Sequence, residues 1–238
     1  MSDPRLFGST GRSEETQWIS ISDLMAGLMI IFLFIAITYI RPVLDKHQDI
    51  RSIVISWNEK EDDIYKSLVT EFEGDLDKWN AEIDRTTLSI RFKNPEVLFD
   101  AAEATLKPTF RDILDDFFPR YVRVLRRFGD VIEQVPIEGH TSSEWVGAIS
   151  VDHAYFRNME LSQARTRSVL EYGLQIIGTT AYKEWARGLI TANGMSSSRL
   201  EYTDGVEDRA RSRRVEFRVV TNTKERILDV LRTVEGAQ

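Results

Sequence analysis

Asp23 lies inside residues 18–40, a stretch that is apolar enough to cross a lipid bilayer. A membrane helix needs roughly 20 mostly apolar residues at about 1.5 Å rise each. Asp23 is the only charged residue before Arg41 in this stretch. A carboxylate near the centre of such a helix costs about 2.5–3.5 kcal/mol. The sequence therefore predicts a transmembrane helix over 18–40 whose aspartate is either compensated by its surroundings or used by the protein.

A signal peptide is the alternative explanation for this segment. Its apolar core is longer than that of a signal peptide, and no small-x-small cleavage site follows before Arg41. We therefore expect a retained single-span anchor. Arg5 and Arg12 precede the span, and Arg41, Lys46 and Arg51 follow it, so the positive-inside rule does not specify its orientation.

The composition predicts a largely globular remainder. The chain has 238 residues, of which 42% are hydrophobic and 29% charged, so one medium domain with appendages is expected. The formal net charge of -7 argues against a general nucleic-acid surface, and we expect no direct nucleic-acid partner. The chain contains no cysteine, which excludes disulfides, thiolate metal sites and cysteine nucleophiles.

Five segments follow from the pattern along the chain. Apolar residues at helical spacing within an acidic stretch predict a helical stalk after the span, and a folded domain follows it. The expected segments are a polar tail over 1–17, the span over 18–40, the stalk over 41–85, the domain over 86–222 and a C-terminal helix or tail over 223–238.

Within the domain, strands alternate with helices. Period-two alternation predicts strands, and helical periodicity with start and stop residues such as Ser162 and Gly178 predicts helices. The predicted strands are 87–92, 131–139 and 215–220, and the predicted helices are 110–125, 161–177, 182–190 and 224–234. This order predicts a compact α/β or α+β sandwich, with one sheet covered by two or three helices. Of the two classes we expect α+β, with a mixed sheet.

The surroundings of Asp23 allow two interpretations. On a helix, Asp23 shares a face with Ala26 and Gly27, and these small residues permit close approach of another helix beside the carboxylate. A carboxylate in that position can accept a proton from one side and release it to the other. Alternatively, Asp23 caps the helix or lies among the headgroups, since Ser20, Ser22 and Asp23 are all acceptable caps. The position of Asp23 in the sequence is compatible with both interpretations.

A second candidate site combines a strand end with a helix. Residues 139–142 (Gly-His-Thr-Ser) follow a predicted strand, and residues 158–165 carry Asn158 and Arg165 near a predicted helix start. An arginine there can bind a carboxylate through two hydrogen bonds, and the helix N-terminus adds backbone donors. The ordinary alternative is that Arg165 pairs with a local acid on a solvated helix face.

Other patterns predict no chemistry. The three histidines (His47, His140 and His153) lack metal-ligand spacing, so we expect no metal site. His140 lies near serines, but no Gly-x-Ser-x-Gly elbow supports a hydrolase. A basic run precedes the last predicted strand and is typical of an ion-paired turn more than of a nucleic-acid patch. Its members are Arg209, Arg211, Arg213 and Arg214.

These domain motifs resemble the OmpA-like peptidoglycan-binding domain. The pattern Asn158-x-x-Leu161-Ser162-x-x-Arg165 after residues 139–141 is similar to its core motif. Residues 98–100 (Leu-Phe-Asp), 106–108 (Leu-Lys-Pro) and 213–217 (Arg-Arg-Val-Glu-Phe) match further pieces in the same order. The resemblance covers about residues 85–222. It implies a peptidoglycan site formed by Thr141, Ser142, Asn158, Leu161 and Arg165.

One position departs from that family. Ser142 stands where the family usually has an aspartate, so the carboxylate that would hold the ammonium group of the peptide's diamino acid is missing. Arg165 retains the means to hold the carboxylate end. Glu144 or Asp152 are the candidates to substitute from the loop.

The span resembles that of MotB-type stator subunits. Residues 18–25 (Trp-Ile-Ser-Ile-Ser-Asp-Leu-Met) and 27–29 (Gly-Leu-Met) carry this likeness, which implies that Asp23 carries the coupling ion. With its short tail and acidic stalk, the chain most resembles the ZorB family, the MotB-like subunits of Zorya anti-phage defence systems. A flagellar-type MotB subunit and a non-conducting OmpA-like wall anchor are the alternatives.

The resemblance implies a set of partners and a location. The expected assembly is a homodimer inside a pentameric MotA-like ZorA ring in the bacterial inner membrane, driven by an ion that is expected to be the proton. The N-terminus would be cytoplasmic, and the C-terminal domain would be periplasmic and bound to peptidoglycan. Cytosolic defence effectors would be indirect partners. The resemblance implies a motor subunit and no enzyme, with no cofactor.

Overall fold

The computed structural model describes the backbone of residues 11–93, 98–100 and 102–223, and the side chains of 22–40 and 59–223 within those ranges. The predicted helix over 224–234 lies outside the described residues, as does the tail before residue 11. The chain divides into two compact units. One contains Met1–Val54 and Val230–Gln238, and the other contains Ile55–Asp229.

Helix α1 extends over Gly11–Phe72 and includes the predicted span. Its stretch Ser22–Ile40 is 19 residues long with a mean hydropathy of 2.3, and none of its side chains is buried. A core helix of similar composition would be buried, so full exposure favours a membrane span. Residues 11–17, expected as part of a polar tail, are helical.

The predicted stalk does not continue as a helix to residue 85. Helix α1 ends at Phe72, shortly before Gly74, and the short helix α2 (Leu76–Trp79) follows. Asn80 then adopts a left-handed conformation with φ 50°, and the chain enters strand β1 (Ala81–Asp84). The four residues of this strand, Ala-Glu-Ile-Asp, do alternate, but the run is at the minimum length for a strand signal and continues the acidic pattern of the stalk, so it was assigned to the stalk.

Five further strands join β1 in a sheet: β2 (Ser89–Lys93), β3 (Ile132–His140), β4 (Ile190–Ser196), β7 (Arg214–Arg218) and β8 (Val220–Thr221). Among the described residues, this mixed sheet has the order β1-β2-β7-β3-β4, with β8 also paired to β3. Only β3 and β4 run parallel, and the helices between them make the crossover that parallel neighbours need. A separate hairpin pairs β5 (Tyr202–Thr203) with β6 (Val206–Glu207). The prediction of a mixed sheet covered by helices is confirmed.

Beyond α2, the described residues form three further helices and a fourth, short one that precedes β7. They are α3 (Pro108–Arg126), α4 (Val151–Ile176), α5 (Thr180–Leu189) and α6 (Arg209–Ser212). The predicted start of α4 near Leu161 is wrong, because Ser150 caps the helix by accepting a hydrogen bond from the His153 amide. Ser162, expected as a cap, is buried within the helix. The signal at Ser150 was missed because the buried face of this half of the helix carries small and polar residues, Ala154, Asn158 and Ser162, in place of an apolar stripe.

The core lies between the sheet and α3, and aromatic rings fill it. Phe117 stacks on Tyr121 with centroids 5.0 Å apart and meets Phe217 of β7 edge-on at 4.9 Å. The last turns of α1 belong to this core, since Leu68 and Phe72 are fully buried in it. These packed elements fix the strand ends from which the candidate site is built.

Candidate functional site

A pocket of about 330 Å³ lies where β3 ends and α4 passes. Its lining includes all five residues predicted as the peptidoglycan site: Thr141, Ser142, Asn158, Leu161 and Arg165. On α4, the last three are spaced i, i+3 and i+7 and therefore share one helix face. Tertiary structure brings this face against the loop that carries the other two.

Two glycines allow α4 to approach the sheet closely. A Cβ added at Gly139 would lie 2.7 Å from Thr166 Cγ2, and one at Gly194 would lie 2.5 Å from the Gln163 amide nitrogen. Only glycine fits at such separations. The close approach also lets the Ser196 amide donate to Ser162 Oγ, while the Thr141 amide donates to the Ser196 carbonyl at 2.9 Å. Thr141 is thereby fixed at the pocket.

Asn158 shapes the loop between β3 and α4. Its Nδ2 donates to the carbonyl oxygens of Ser142 at 3.1 Å and Glu144 at 3.2 Å. Asn158 and Ser142 are both buried. Because two loop carbonyls converge on one amide group, this side chain holds the loop conformation as well as lining the pocket.

Arg165 faces the opposite segment of the pocket wall. Its Nε donates to the Glu103 carbonyl at 2.8 Å, and one terminal nitrogen donates to the Asp100 carbonyl at 3.1 Å. The guanidinium carbon lies 4.9 Å from the centroid of the Phe99 ring, a cation–π distance. These contacts hold the charged group at the pocket.

Two acids line the pocket, and the sequence prediction named one of them. Glu144 lines it, as expected, whereas Asp152 is not among the lining residues. Asp100 also lines the pocket and was not predicted as a site residue. It belongs to the 98–100 motif, which was the available signal. Both acids are paired: Asp100 Oδ1 lies 3.1 Å from Lys107 Nζ, and Glu144 Oε2 lies 2.6 Å from a terminal nitrogen of Arg209.

The basic run contains ion-paired arginines, as predicted, but it forms the short helix α6 and the start of β7, so the prediction of a turn is wrong. Asp208 caps α6 by accepting hydrogen bonds from the amides of Ala210 and Arg211. Arg209 pairs with Glu144, and Arg213 lines the pocket. Arg214 is buried, with its Nε 2.5 Å from Glu216 Oε1. The arginines of this run therefore interact with other groups of the folded domain.

A buried ionic cluster occupies the sheet face that carries Glu138, His140 and Glu216. His140 Nε2 lies 3.5 Å from Glu138 and 4.0 Å from Glu216. These are metal-ligand types, and the sequence spacing did not reveal that they meet. Four arginines also face the two carboxylates, and their positive charge opposes a cation there. They are Arg91, Arg199, Arg214 and Arg218.

Charge states in the cluster follow from burial and neighbours. Burial lowers the pKa of His140 below its ordinary value of 6.5, although Glu138 opposes this effect. For Glu138, burial by itself raises the pKa, but the combined interactions with His140, Arg199 and Arg218 lower it below 4.5. At neutral pH, the lowered pKa values leave the His140 imidazole neutral beside the ionised Glu138 carboxylate.

The span presents Asp23 within a continuous helix. Helix α1 begins at Gly11, so the interpretation of Asp23, Ser20 or Ser22 as an N-terminal cap is wrong. A Cβ added at Gly27 would meet no atom within 4 Å, so the described residues leave this face open. The alternative of a headgroup position is not tested by the helix bounds.

One exposed apolar helix and an α+β unit with a charged pocket fit the class of membrane-anchored proteins with a binding domain. No family model matches the sequence. A Zorya protein, ZorB of Escherichia coli strain Crooks, is 46% identical over 220 residues, covering 92% of this chain and 93% of that protein. The chain therefore belongs to the ZorB family, and the resemblance found in the sequence is confirmed.

Two solved structures of bacterial proteins are similar to this chain. A MotB-like protein from Desulfovibrio vulgaris is 24% identical with a TM-score of 0.49, covering 71% of this chain and 94% of that chain. The cell wall anchor of the type VI secretion system from Pseudomonas aeruginosa is 23% identical with a TM-score of 0.45, covering 65% and 96% respectively.

Proposed function

We propose that this chain is the MotB-like stator subunit of a proton-driven motor that acts in anti-phage defence. Two copies would stand inside a pentameric MotA-like ZorA ring in the inner membrane. The N-terminus is cytoplasmic, and the α+β domain is periplasmic and binds peptidoglycan. The chain acts without enzymatic turnover or a cofactor, and the transported ion is the proton.

The observation that carries this proposal is the position of Asp23 in a chain of the ZorB family. It is the only charged side chain in the stretch Ser22–Ile40, where the other side chains are exposed and nearly all apolar. An ionisable residue inside a membrane segment is costly, and such residues usually mark ion pathways. The small residues Ala26 and Gly27 leave room for a partner helix beside the carboxylate.

Protonation of Asp23 would remove its charge and change how the span packs against the ring. A proton that moves through 100 mV supplies about 2.3 kcal/mol, enough to bias a small helix–helix rearrangement. Torque also requires a stationary element. The pocket, with Arg165 anchored beside the loop of Thr141 and Ser142, supplies the attachment to the wall.

Asp23→Asn tests the ion-carrying role. The amide cannot exchange a proton, so we expect the variant to assemble in the membrane but to lose proton conduction and protection against phage. Ser22→Ala changes the neighbouring polar residue and should behave as wild type. Wild-type conduction and protection by Asp23→Asn would show that the carboxylate does not carry the ion.

Arg165→Ala tests wall binding. The full-length chain in detergent should co-sediment with purified peptidoglycan sacculi, and the substitution should reduce the bound fraction about tenfold, since a charge-assisted hydrogen bond contributes about 1.5–3 kcal/mol. Arg167→Ala is the matched control, because Arg167 is an exposed arginine on the same helix outside the pocket lining. Equal loss in both variants would argue against a specific pocket.

A non-conducting wall anchor is the second candidate. The pocket supports wall binding by itself, and wall binding makes no use of Asp23. In that case, Asp23→Ser retains protection against phage as well as sacculus binding. A flagellar-type role predicts instead that deletion of the chain abolishes swimming and leaves phage sensitivity unchanged.

The absence of cysteine from the sequence gives a direct test of orientation. Val146 is 92% exposed in the domain, so Val146→Cys places a reactive thiol on its surface. A membrane-impermeant maleimide added to spheroplasts should label this variant without lysis. Labelling only after lysis would place the domain in the cytoplasm.

A further inference from the structure

Strand β4 forms one edge of the mixed sheet, since β3 is its only strand neighbour among the described residues. An edge strand presents backbone amides and carbonyls on its outer side, and another chain can pair with them. The seven residues of β4 (Ile-Thr-Ala-Asn-Gly-Met-Ser) include no charged residue and no proline. This edge therefore lacks the side chains that usually prevent a strand from pairing with another chain.

The opposite edge of the sheet, β1, is protected by its own sequence. It has four residues, and two of them, Glu82 and Asp84, carry charge. Short strands and charged side chains both disfavour the addition of a further strand. β4 is longer, and it contains a glycine and an asparagine, which specify its pairing weakly. Protection of the β4 edge must therefore come from another element of the fold.

The side chain of Gln163 on α4 closes the outer side of β4. Its Nε2 donates to the Ala192 carbonyl at 3.0 Å, and its Oε1 accepts from the Gly194 amide at 2.7 Å. A residue of a neighbouring parallel strand bonds in the same way, donating to one residue and accepting from the residue two positions further on. Because a carboxamide has both a donor and an acceptor, this side chain takes the place of one peptide unit.

The close packing of α4 on β4 makes this contact possible. A Cβ added at Gly194 would lie 2.8 Å from the Gln163 Cα atom, so the helix backbone lies directly against the strand. The same approach lets the preceding residue of α4, Ser162, accept from the Ser196 amide at 3.1 Å. Two adjacent side chains of α4 thus satisfy three backbone polar groups of β4.

The strand that competes with Gln163 for this edge is the β4 strand of a second copy. Every copy of the chain carries the same edge, and two identical edge strands are self-complementary when they pair antiparallel about a two-fold axis. Gln163 is exposed to solvent, so its carboxamide is free to leave the strand. The groups of Ala192 and Gly194 would then bond to those of Gly194 and Ala192 in the other copy.

We propose that Gln163 is an edge guard, a side chain that occupies the outer side of β4 in place of a neighbouring strand and prevents the β4 edges of two copies from pairing. The edge behind it fits a second copy of the same strand, with Ala192 of one copy opposite Gly194 of the other. Edge protection makes no use of wall binding or ion transport, so a negative result leaves the proposed function untouched.

Disulfide cross-linking of the full-length chain in detergent tests this proposal, because the sequence contains no cysteine. In the expected pairing, Asn193 lies opposite Asn193 of the second copy, where the two Cα atoms are about 4.5 Å apart and within the range of a disulfide. Asn193→Cys by itself should cross-link weakly. Gln163→Leu keeps the size of the side chain but removes both hydrogen bonds, so its addition should raise the cross-linked fraction about tenfold.

Two matched substitutions separate edge pairing from other causes of cross-linking. Gln175→Leu places the same apolar side chain at another exposed glutamine of α4 and should leave the cross-linked fraction at the wild-type level. Thr191→Cys replaces Asn193→Cys in the second control. It should not respond to Gln163→Leu, because the two thiols would be about 14 Å apart along the paired strands.

Two further substitutions at position 163 keep the test decisive if Gln163→Leu does not fold. Gln163→Asn has a side chain too short to reach both backbone groups and adds no apolar surface, so it should also raise the cross-linked fraction. Gln163→Glu retains an acceptor for the Gly194 amide and places a charge at the edge, so it should remain at the wild-type level. Circular dichroism verifies that each variant is folded.

Several outcomes would overturn the edge-guard proposal. The first is a folded Gln163→Leu or Gln163→Asn variant that cross-links no more than the chain with the native glutamine. The second is an equal rise with Gln163→Glu, which would mean that any loss of the glutamine loosens the domain. The third is an equal rise at position 191, which would mean contact without the expected register. Efficient cross-linking at position 193 with Gln163 in place would show that the edge is not closed.

Discussion

The two faces of the mixed sheet bury their side chains by opposite means. On one face, Phe92 and Phe217 pack against α3, with Phe217 ring centroids 4.9–6.2 Å from those of Phe117, Phe118 and Tyr121. On the other, Glu138 and Glu216 are also buried, but among arginines. Alternate residues of the same strands thus enter an apolar layer and an ionic one.

This difference shows that similar burial has different requirements. Apolar packing is non-directional and depends on area and volume. The ionic face must match each buried charge, because an unpaired ion in a poorly hydrated site is strongly destabilising. We therefore expect the apolar face to contribute most to stability and the ionic face to set the pH response.

Phe217→Ala should have the largest effect. The side chain is fully buried and contacts several rings, and removal of a buried phenylalanine costs about 3–5 kcal/mol. Urea unfolding of the full-length chain, followed by circular dichroism, measures this loss. Phe156→Ala is the matched control, since that ring is 67% exposed and should change stability by about 0.5 kcal/mol or less. If Phe217→Ala lowers the free energy of unfolding by less than a substitution on the ionic face does, the apolar face is not the larger contributor to stability.

Glu216→Gln should cost about 3 kcal/mol, because it leaves Arg214 and Arg91 facing a neutral group. The same urea titration measures it. Arg214→Met combined with Glu216→Leu removes both charges together and should recover a large part of the loss, since apolar replacement of a buried pair is often neutral or stabilising. A double variant as unstable as the sum of two single variants would mean that the pair itself stabilises the sheet.

Acidification should produce the smallest effect and should act through the ionic face. The folded-state pKa of His140 lies below 6.5, so its contribution is complete above that pH and is lost as the unfolded chain gains a proton first. Glu138, whose folded-state pKa is lowered below 4.5, adds a second loss that begins near pH 4.5 and continues as the pH falls through the folded-state pKa. Melting temperatures measured from about pH 7.5 down to about pH 2.5 cover both losses. His140→Gln should flatten the upper part of this profile, and a profile unchanged by that substitution would exclude His140 as its source.

Sequence reasoning was most successful where the pattern is local. Alternation in 131–139 and 215–220 located β3 and β7 to within a few residues, since one face of each strand is apolar. It missed β4, whose residues Ile190–Ser196 include a glycine, an asparagine and a threonine and show little alternation. That strand forms because it lies parallel to β3 under α4.

The candidate site divides in the same way. The spacing of Asn158, Leu161 and Arg165 indicated one helix face, and residues 139–142 indicated a loop at a strand end. The substitute acid could not be assigned from spacing, because Asp100, Glu144 and Asp152 are all near candidate motifs in the chain. Only packing brings Asp100 beside Arg165 and leaves Asp152 outside the lining.

The sequence by itself determined the apolar span with its single carboxylate, the α+β class and the identity of the residues that carry charge into the domain. These properties depend on composition and short-range periodicity. The tertiary structure decided that α1 ends inside the domain core and that Glu138, His140 and Glu216 meet. It also decided which acid lines the pocket beside Arg165. Those outcomes depend on contacts between residues far apart in the chain, where burial and charge matching select one arrangement among several that local patterns allow.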